Sequence, residues 1–347
     1  SVAVFVDGVY RNRNNVALTD LGEVERIEVL RGPQGTLFGK NAVAGLLSIT
    51  TQGPDTEELR AYTDLSAGDD DYWRMSAGIT GPVAGDKLAL RLDGSITQRD
   101  GFIDEVSTGT EYNDRDGYLL RGQLSSQLTD NLDLRVIADI SNRDESCCAA
   151  VAYKTGPTSA LIGLLGGTVI NPARPYDRKM YANTDRGYDQ ETDEWGLSAE
   201  LNWDMGGMTL TSITAYRDWD ADRSQDIDFT DADILYRDPG TYGNQFETLT
   251  QELRLAGTSG PLDWLVGLYY MDEQLDVNDA VRTGPAYEAF ANGLLQAGGA
   301  PANSLSLFTG LAPGTVFTDG DGAISDAFRQ DTDGWAIFTH NIWNLDN

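Results

Sequence analysis

The sequence is poor in the residues from which most catalytic and metal sites are built. Its 347 residues include a single histidine, His340, and two cysteines, adjacent at Cys147 and Cys148. One imidazole excludes a His-rich metal centre. GxSxG and HExxH motifs are both missing, so the search for a catalytic constellation is empty and no enzyme is expected. Neighbouring cysteines exclude a disulfide framework and a CxxC zinc site. In an oxidising compartment their plain reading is a vicinal loop disulfide. Basic residues are scarce too: 25 Lys+Arg face 55 Asp+Glu, a formal charge of −30. A nucleic-acid partner is excluded, because phosphate contacts need clustered Lys and Arg. No run of 18 apolar residues occurs, and the best uncharged stretch, 159–173, is too short and glycine-rich for a membrane-spanning helix. The start has no charged region followed by an apolar one. It opens directly on an apolar, strand-like run, and we expect both ends to be cut from a longer protein.

What is present, from about residue 59 onward, is period two. In 87–98 Leu88, Leu90, Leu92 and Ile96 alternate with Arg91, Asp93, Ser95 and Thr97. In 131–142 Leu132, Leu134, Val136, Ala138 and Ile140 alternate with Asp133, Arg135, Asp139 and Ser141. In 191–204 Trp195, Leu197, Ala199, Leu201 and Trp203 alternate with Ser198, Glu200 and Asn202. Such spacing gives β-strands with one apolar and one polar face. Less regular runs at 59–67, 71–80, 117–127, 207–220, 245–256, 262–276 and 331–343 bring the expected strands to ten. They are long for a soluble sheet, and about ten residues is what a tilted membrane-spanning strand needs.

The connections point the same way. Short links are expected at 80–86, 128–131, 204–207 and 257–262, and long ones at 99–116, 143–190, 220–244 and 277–330. Short turns on one side and long loops on the other are the habit of outer-membrane barrels. Trp195 and Trp203, eight residues apart on one apolar face, stand roughly 26 Å apart along a strand. Trp335 and Trp343 repeat the spacing, which suits aromatic girdles at the two membrane interfaces. A β-sandwich is the competing reading. An open ten-strand sheet in lipid would leave two unsatisfied edges, so the ten either close alone or form part of a larger barrel.

Residues 1–53 decide between these. They carry Val4-Phe5-Val6-Asp7-Gly8-Val9-Tyr10, then Val24-Glu25-Arg26-Ile27-Glu28-Val29-Leu30-Arg31-Gly32-Pro33, then Gln34-Gly35-Thr36-Leu37-Phe38-Gly39-Lys40-Asn41-Ala42. Gly32, Gly35 and Gly39 permit positive φ where a strand turns back on itself, a turn that Pro33 stiffens. Gly39-Lys40 is not a P-loop: three residues, not four, separate Gly35 from Gly39, and Asn41 replaces Ser/Thr. Over residues 4–54 this closely resembles the C-terminal half of the plug domain of TonB-dependent outer-membrane receptors.

The resemblance implies an all-β transmembrane fold: an antiparallel outer-membrane β-barrel, 22-stranded in the family with about ten strands here, and a small α+β plug segment in the lumen. It implies residues 1–54 as the C-terminal part of the plug and 55–347 as the first part of the barrel. The implied function is TonB-dependent active transport of a scarce ligand, most often a ferric siderophore, across the Gram-negative outer membrane. A passive porin or adhesin-like barrel is the alternative. Implied partners are TonB with its inner-membrane motor proteins, outer-membrane lipid and lipopolysaccharide, and a small extracellular ligand.

In the family, plug arginines pair with barrel glutamates. Arg31 lies in the matching motif and is the first candidate for such a lock, with Glu25, Arg26 and Glu28 behind it. A bond to a local turn fits Arg31 equally. Glu252 is a barrel partner candidate, since Leu249, Leu253 and Leu255 would face lipid and turn it inward. Arg11, Asn12, Arg13 and Asn14 form a polar cluster that either faces the ligand or is a solvated turn. Asp218, Asp220, Asp222, Asp226, Asp228, Asp231 and Asp233 crowd one expected extracellular loop, most simply for solvation. Asp319 and Asp321 echo a Ca²⁺ loop, but Phe317 and Phe328 at its first and twelfth positions rule out a normal EF-hand. No other cofactor is expected.

Overall fold

The computed structural model describes residues 2–11, 21–33, 44–169 and 174–345. Four strands near the start form one small sheet: β1 (Ala3–Val6), β2 (Val9–Arg11), β3 (Val24–Arg31) and β4 (Gly45–Thr51), in the order β2-β1-β4-β3. β1 turns back on β2 through Asp7 and Gly8, both at positive φ (50° and 76°), with Val6 opposite Val9. That is the two-residue turn whose twist suits a hairpin, and Asp-Gly is its favoured sequence. β1 also lies parallel to β4, and β4 pairs antiparallel with β3.

Ten long strands follow: β5 (Arg60–Ala67), β6 (Trp73–Ala84), β7 (Leu88–Arg99), β8 (Arg115–Thr129), β9 (Leu132–Ser146), β10 (Asp189–Asp204), β11 (Met208–Arg223), β12 (Tyr242–Ser259), β13 (Leu262–Thr283) and β14 (Gly322–Trp343). Each pairs antiparallel with the next in a single meander. They coincide with the ten read from periodicity within a few residues at the ends, except that β13 runs seven residues beyond its expected end and β14 starts nine residues before its expected start. The turns after β6, β8, β10 and β12 are short. Those after β7, β9, β11 and β13 are long and carry small strands and three helices, α1 (Ser159–Leu164), α2 (Tyr287–Ala297) and α3 (Ser304–Thr309). Among the described residues no helix is long and apolar enough to cross a membrane.

Burial runs opposite to that of a soluble domain. On the meander's outer face Leu92, Ile96, Leu120, Leu197, Val266 and Ile337 are each 48–69% exposed. Trp195, Trp203, Trp335 and Trp343 are exposed as well. On the inner face Arg91, Asp93, Arg121, Gln123, Glu194 and Glu252 are buried. A β-sandwich would do the reverse, so that reading is discarded. The apolar band is suited to acyl chains and the polar face to an enclosed lumen.

The small sheet occupies that inner face. Phe5, Tyr10 and Leu46 pack on Tyr269, Met271 and Phe338 of β13 and β14, while Val9 packs on Ile213 and Ala215 of β11. The Asp7–Gly8 turn presses on the wall: a Cβ on Gly8 would meet Ile213 Cδ1 at 2.9 Å.

Candidate functional site: the charged seat of the inner sheet

Asp7 sits at the tip of the β1–β2 hairpin, nearly buried, with its backbone in the left-handed region. Such a conformation in a non-glycine residue is sustained only where surrounding contacts over-determine it. Here they do. Its carboxylate accepts the Thr51 backbone N–H at 2.9 Å and the Thr51 hydroxyl, which ties the hairpin to the end of β4. It also accepts from Arg121 of β8 and from Arg135 of β9, the latter at 3.3 Å. Gln123 of β8 donates to the Gln52 carbonyl at 3.0 Å, and Arg135 donates to Gln123 Oε1 at 2.7 Å.

Two further ion pairs join sheet to wall. Arg11, at the end of β2, meets Glu194 of β10 at 3.0 Å, both buried. Glu23 meets Arg91 of β7 at 2.6 Å. The wall charges are themselves linked: Arg91 to Asp93 at 2.8 Å, Arg121 to Asp139 at 3.4 Å, and Arg217 to Asp139 and Glu194, each at 2.6 Å. Of the groups in this network the wall contributes four arginines and three carboxylates, and the inner sheet two carboxylates and one arginine. The network is neutral only when both parts are present. Unpaired charges buried between sheet and wall would be costly, so this closure is what makes a charged interior tolerable.

The sequence candidates fall differently. Arg11 is not aimed at an outside ligand: it is 7% exposed and held by Glu194, because the β1–β2 hairpin lies flat on the wall. Asn12, Arg13, Asn14, Gly35 and Gly39 lie outside the described residues. Gly32 has φ 83° just after β3, with Pro33 exposed beside it. Arg26 bridges Glu25 (3.7 Å) and Glu28 (3.1 Å) along the exposed face of β3, and Arg31 lies at the exposed end of that strand, opposite Gly45. None of the four is brought to Glu252. Glu252 does turn inward, but its ion-pair partner is Arg254 two residues along β12, at 2.9 Å. Asp7, Glu23, Arg91, Arg121, Arg135, Asp139, Glu194 and Arg217 went unnoticed in the sequence as members of this ion-pair network. A signal existed for the wall members, as charged residues on the polar side of period-two strands.

Above the wall the long connections pack together. Arg186 pairs with Asp233 (2.5 Å) and Asp319 (2.6 Å) and stacks on the Tyr236 ring at 3.7 Å, joining three loops. Tyr188 is fully buried between Tyr112 and Phe229. Burial beside Asp228 pushes the Asp226 carboxyl up to about 8, and Asp228 is raised by burial as well. The acidic loop is therefore not simply solvated: Asp226 and Asp228 are buried within it and accept backbone N–H groups of Asn183, Ile234 and Leu235. Asp319 is taken by Arg186, and Asp321 accepts from Thr318 at 2.7 Å. Among the described residues no group of three His, Cys, Asp or Glu side chains converges as a metal site. Cys147 and Cys148 are joined as a disulfide where β9 leaves the sheet.

Comparison with known proteins fits this geometry. Residues 1–46 match the family model of the TonB-dependent receptor plug domain. The pesticin receptor of Yersinia pestis is 26% identical over 290 residues, covering 81% of this chain and 38% of that receptor. An iron-regulated outer membrane virulence protein of Vibrio cholerae is 33% identical over 132 residues, covering 37% of this chain and 20% of that protein. The solved ferric yersiniabactin uptake receptor of Yersinia pestis superposes with a TM-score of 0.67 at 21% identity, over 81% of this chain and 41% of its own. The chain thus spans well under half the length of these relatives. These likenesses support a TonB-dependent outer-membrane receptor, with residues 1–46 matching its plug domain and the ten consecutive strands resembling part of its barrel wall.

Proposed function

We propose that the intact receptor imports a ferric siderophore or similar iron complex across the outer membrane, with TonB and its inner-membrane motor displacing the plug. Residues 1–54 act as the C-terminal part of the plug and 55–347 as the first part of the barrel. The observation that carries the reading is the charged seat. A plug held by ion pairs, several of which keep a wall partner when the plug leaves, can be withdrawn and reseated. Arg121 retains Asp139, Arg91 retains Asp93, and Glu194 retains Arg217.

The ligand class is supported from the outer end of the lumen. There Arg74, Arg115 and Arg143 converge on a cavity of about 330 Å³ with Tyr72 and Tyr118. Asp116 and Glu145 line the same cavity, so its lining keeps an excess of one positive charge in a chain of −30, a modest attraction for an anion. A passive pore fits less well, since the inner sheet fills the lumen side of the wall. Radioactive iron uptake in cells expressing or lacking the receptor tests the proposal, with ferric siderophores of several classes. Uptake that requires both the receptor and TonB is expected. Uptake that persists at full rate without TonB would overturn it.

A further inference from the structure

Three glycines in the wall are not required by their backbone, since none of Gly78, Gly196 and Gly267 has a left-handed φ. They are required by space. A Cβ on Gly196 would stand 2.2 Å from an Arg217 guanidinium nitrogen. On Gly78 it would stand 2.3 Å from the Tyr62 ring and 2.5 Å from Asp93 Oδ1, and on Gly267 2.0 Å from the Phe338 ring. In each case the intruding side chain belongs to the residue directly opposite on a neighbouring strand. The side chain lies down across the glycine instead of rising into the lumen.

Two of these glycines share one register row. Tyr62, Gly78, Asp93, Arg121, Asp139, Gly196 and Arg217 are successive partners from β5 to β11. Along that row Arg217 crosses Gly196 to reach Asp139 at 2.6 Å, and Tyr62 crosses Gly78 to donate to Asp93 at 3.0 Å. Neighbouring strands are about 4.8 Å apart, so each reach spans two strand spacings and needs a bare backbone beneath it. The row then meets the plug directly, through Arg121 to Asp7, and through its neighbours, Arg91 to Glu23 and Glu194 to Arg11.

We infer that Gly78 and Gly196 are positioning residues for the plug: their missing side chains let one row of barrel residues lie flat and close into a continuous belt of paired charge on which the plug is seated. The inference rests on the reading of residues 1–54 as a plug. Gly267 under Phe338 is the apolar counterpart, setting the ring against the plug cluster of Phe5, Tyr10 and Leu46.

A double-mutant cycle tests this in the intact receptor in outer-membrane vesicles, without ligand or TonB. The reporter is Ser48→Cys in β4, half-buried in the plug sheet, labelled by a maleimide and read against the receptor without it; Cys147 and Cys148 are in a disulfide and stay silent. Gly196→Ala should raise the labelling rate roughly tenfold, as loss of a charge-assisted contact does. Arg217→Ala should raise it similarly, and the double variant should label no faster than Arg217→Ala alone, because the methyl then has nothing to displace. Gly122→Ala, on the lipid face with only Leu92 Cδ2 at 3.5 Å, should leave the rate unchanged. Full additivity, no effect of Gly196→Ala, or an equal effect of Gly122→Ala would each overturn the inference. If Gly196→Ala does not assemble, the same cycle runs on Gly78→Ala and Tyr62→Ala, with partial masking expected because Asp93 Oδ1, 2.5 Å from the added methyl, stays in place, and with full additivity again overturning the inference. The assay reads seating alone, so failed iron uptake beside an intact cycle would sink only the transport proposal.

Discussion

Arg121 is 2% exposed and shared between Asp7 of the plug and Asp139 of the wall. Removing one partner of a buried pair leaves the other unpaired at a cost of about 3–5 kcal/mol. Arg121→Ala should therefore loosen the plug by about that amount while barely moving the barrel, because strand pairing does not depend on it. Urea titration with separate fluorescent reporters in plug and wall checks this; a single shared shift would contradict it. Asp226 makes a prediction of the opposite kind. Its folded pKa is raised to about 8, so between the ordinary carboxylate value and 8 the folded loop binds more protons than the unfolded one. Its contribution is fully present at low pH and is lost as pH rises through 8. Proteolysis of loop 224–241 should be slower at pH 5.5 than at pH 8.5, once corrected for protease activity, and Asp226→Asn should flatten that difference. These roles were only half legible in the sequence. That Arg121 and Asp139 face inward follows from alternation. That they meet each other, and that Arg121 meets Asp7, depends on register between two adjacent strands and on a hairpin more than a hundred residues away.

The strands themselves were legible because one face meets lipid and the other the lumen, so every second residue reports the boundary it faces. Leu197 lies near the middle of β10, 50% exposed on the apolar face. Leu197→Arg should cost about 2–4 kcal/mol of barrel stability in lipid, as charges near the bilayer midplane do. Refolding into vesicles under urea measures it, and a change below about 0.5 kcal/mol would mean that this face does not meet acyl chains. The inner sheet was less legible. Its strands are three to eight residues long and mixed in character. Arg11 looked like a polar loop residue because β2 lasts only three residues, too short for alternation to show. Arg31, Arg26, Glu25 and Glu28 attracted attention by motif, yet β3 is the edge strand of the inner sheet and is exposed along nearly its whole length.

For the molecule as a whole, the lumen side of the wall is polar, charged and occupied. In planar bilayers the intact receptor should show little spontaneous conductance, and deletion of residues 1–52 should open it. Large steady currents from the intact protein would contradict the seating described here. The sequence by itself determined the strands, their inner and outer faces and the alternation of short and long connections, since each is a local response to water, lipid or lumen. It also marked the first fifty residues as plug-like by motif. Only the tertiary structure decided which charges meet. Ion pairing across a lumen depends on strand register and on bare glycine positions that let side chains cross a neighbouring strand. Those are relations among residues far apart in the chain, and local composition does not encode them.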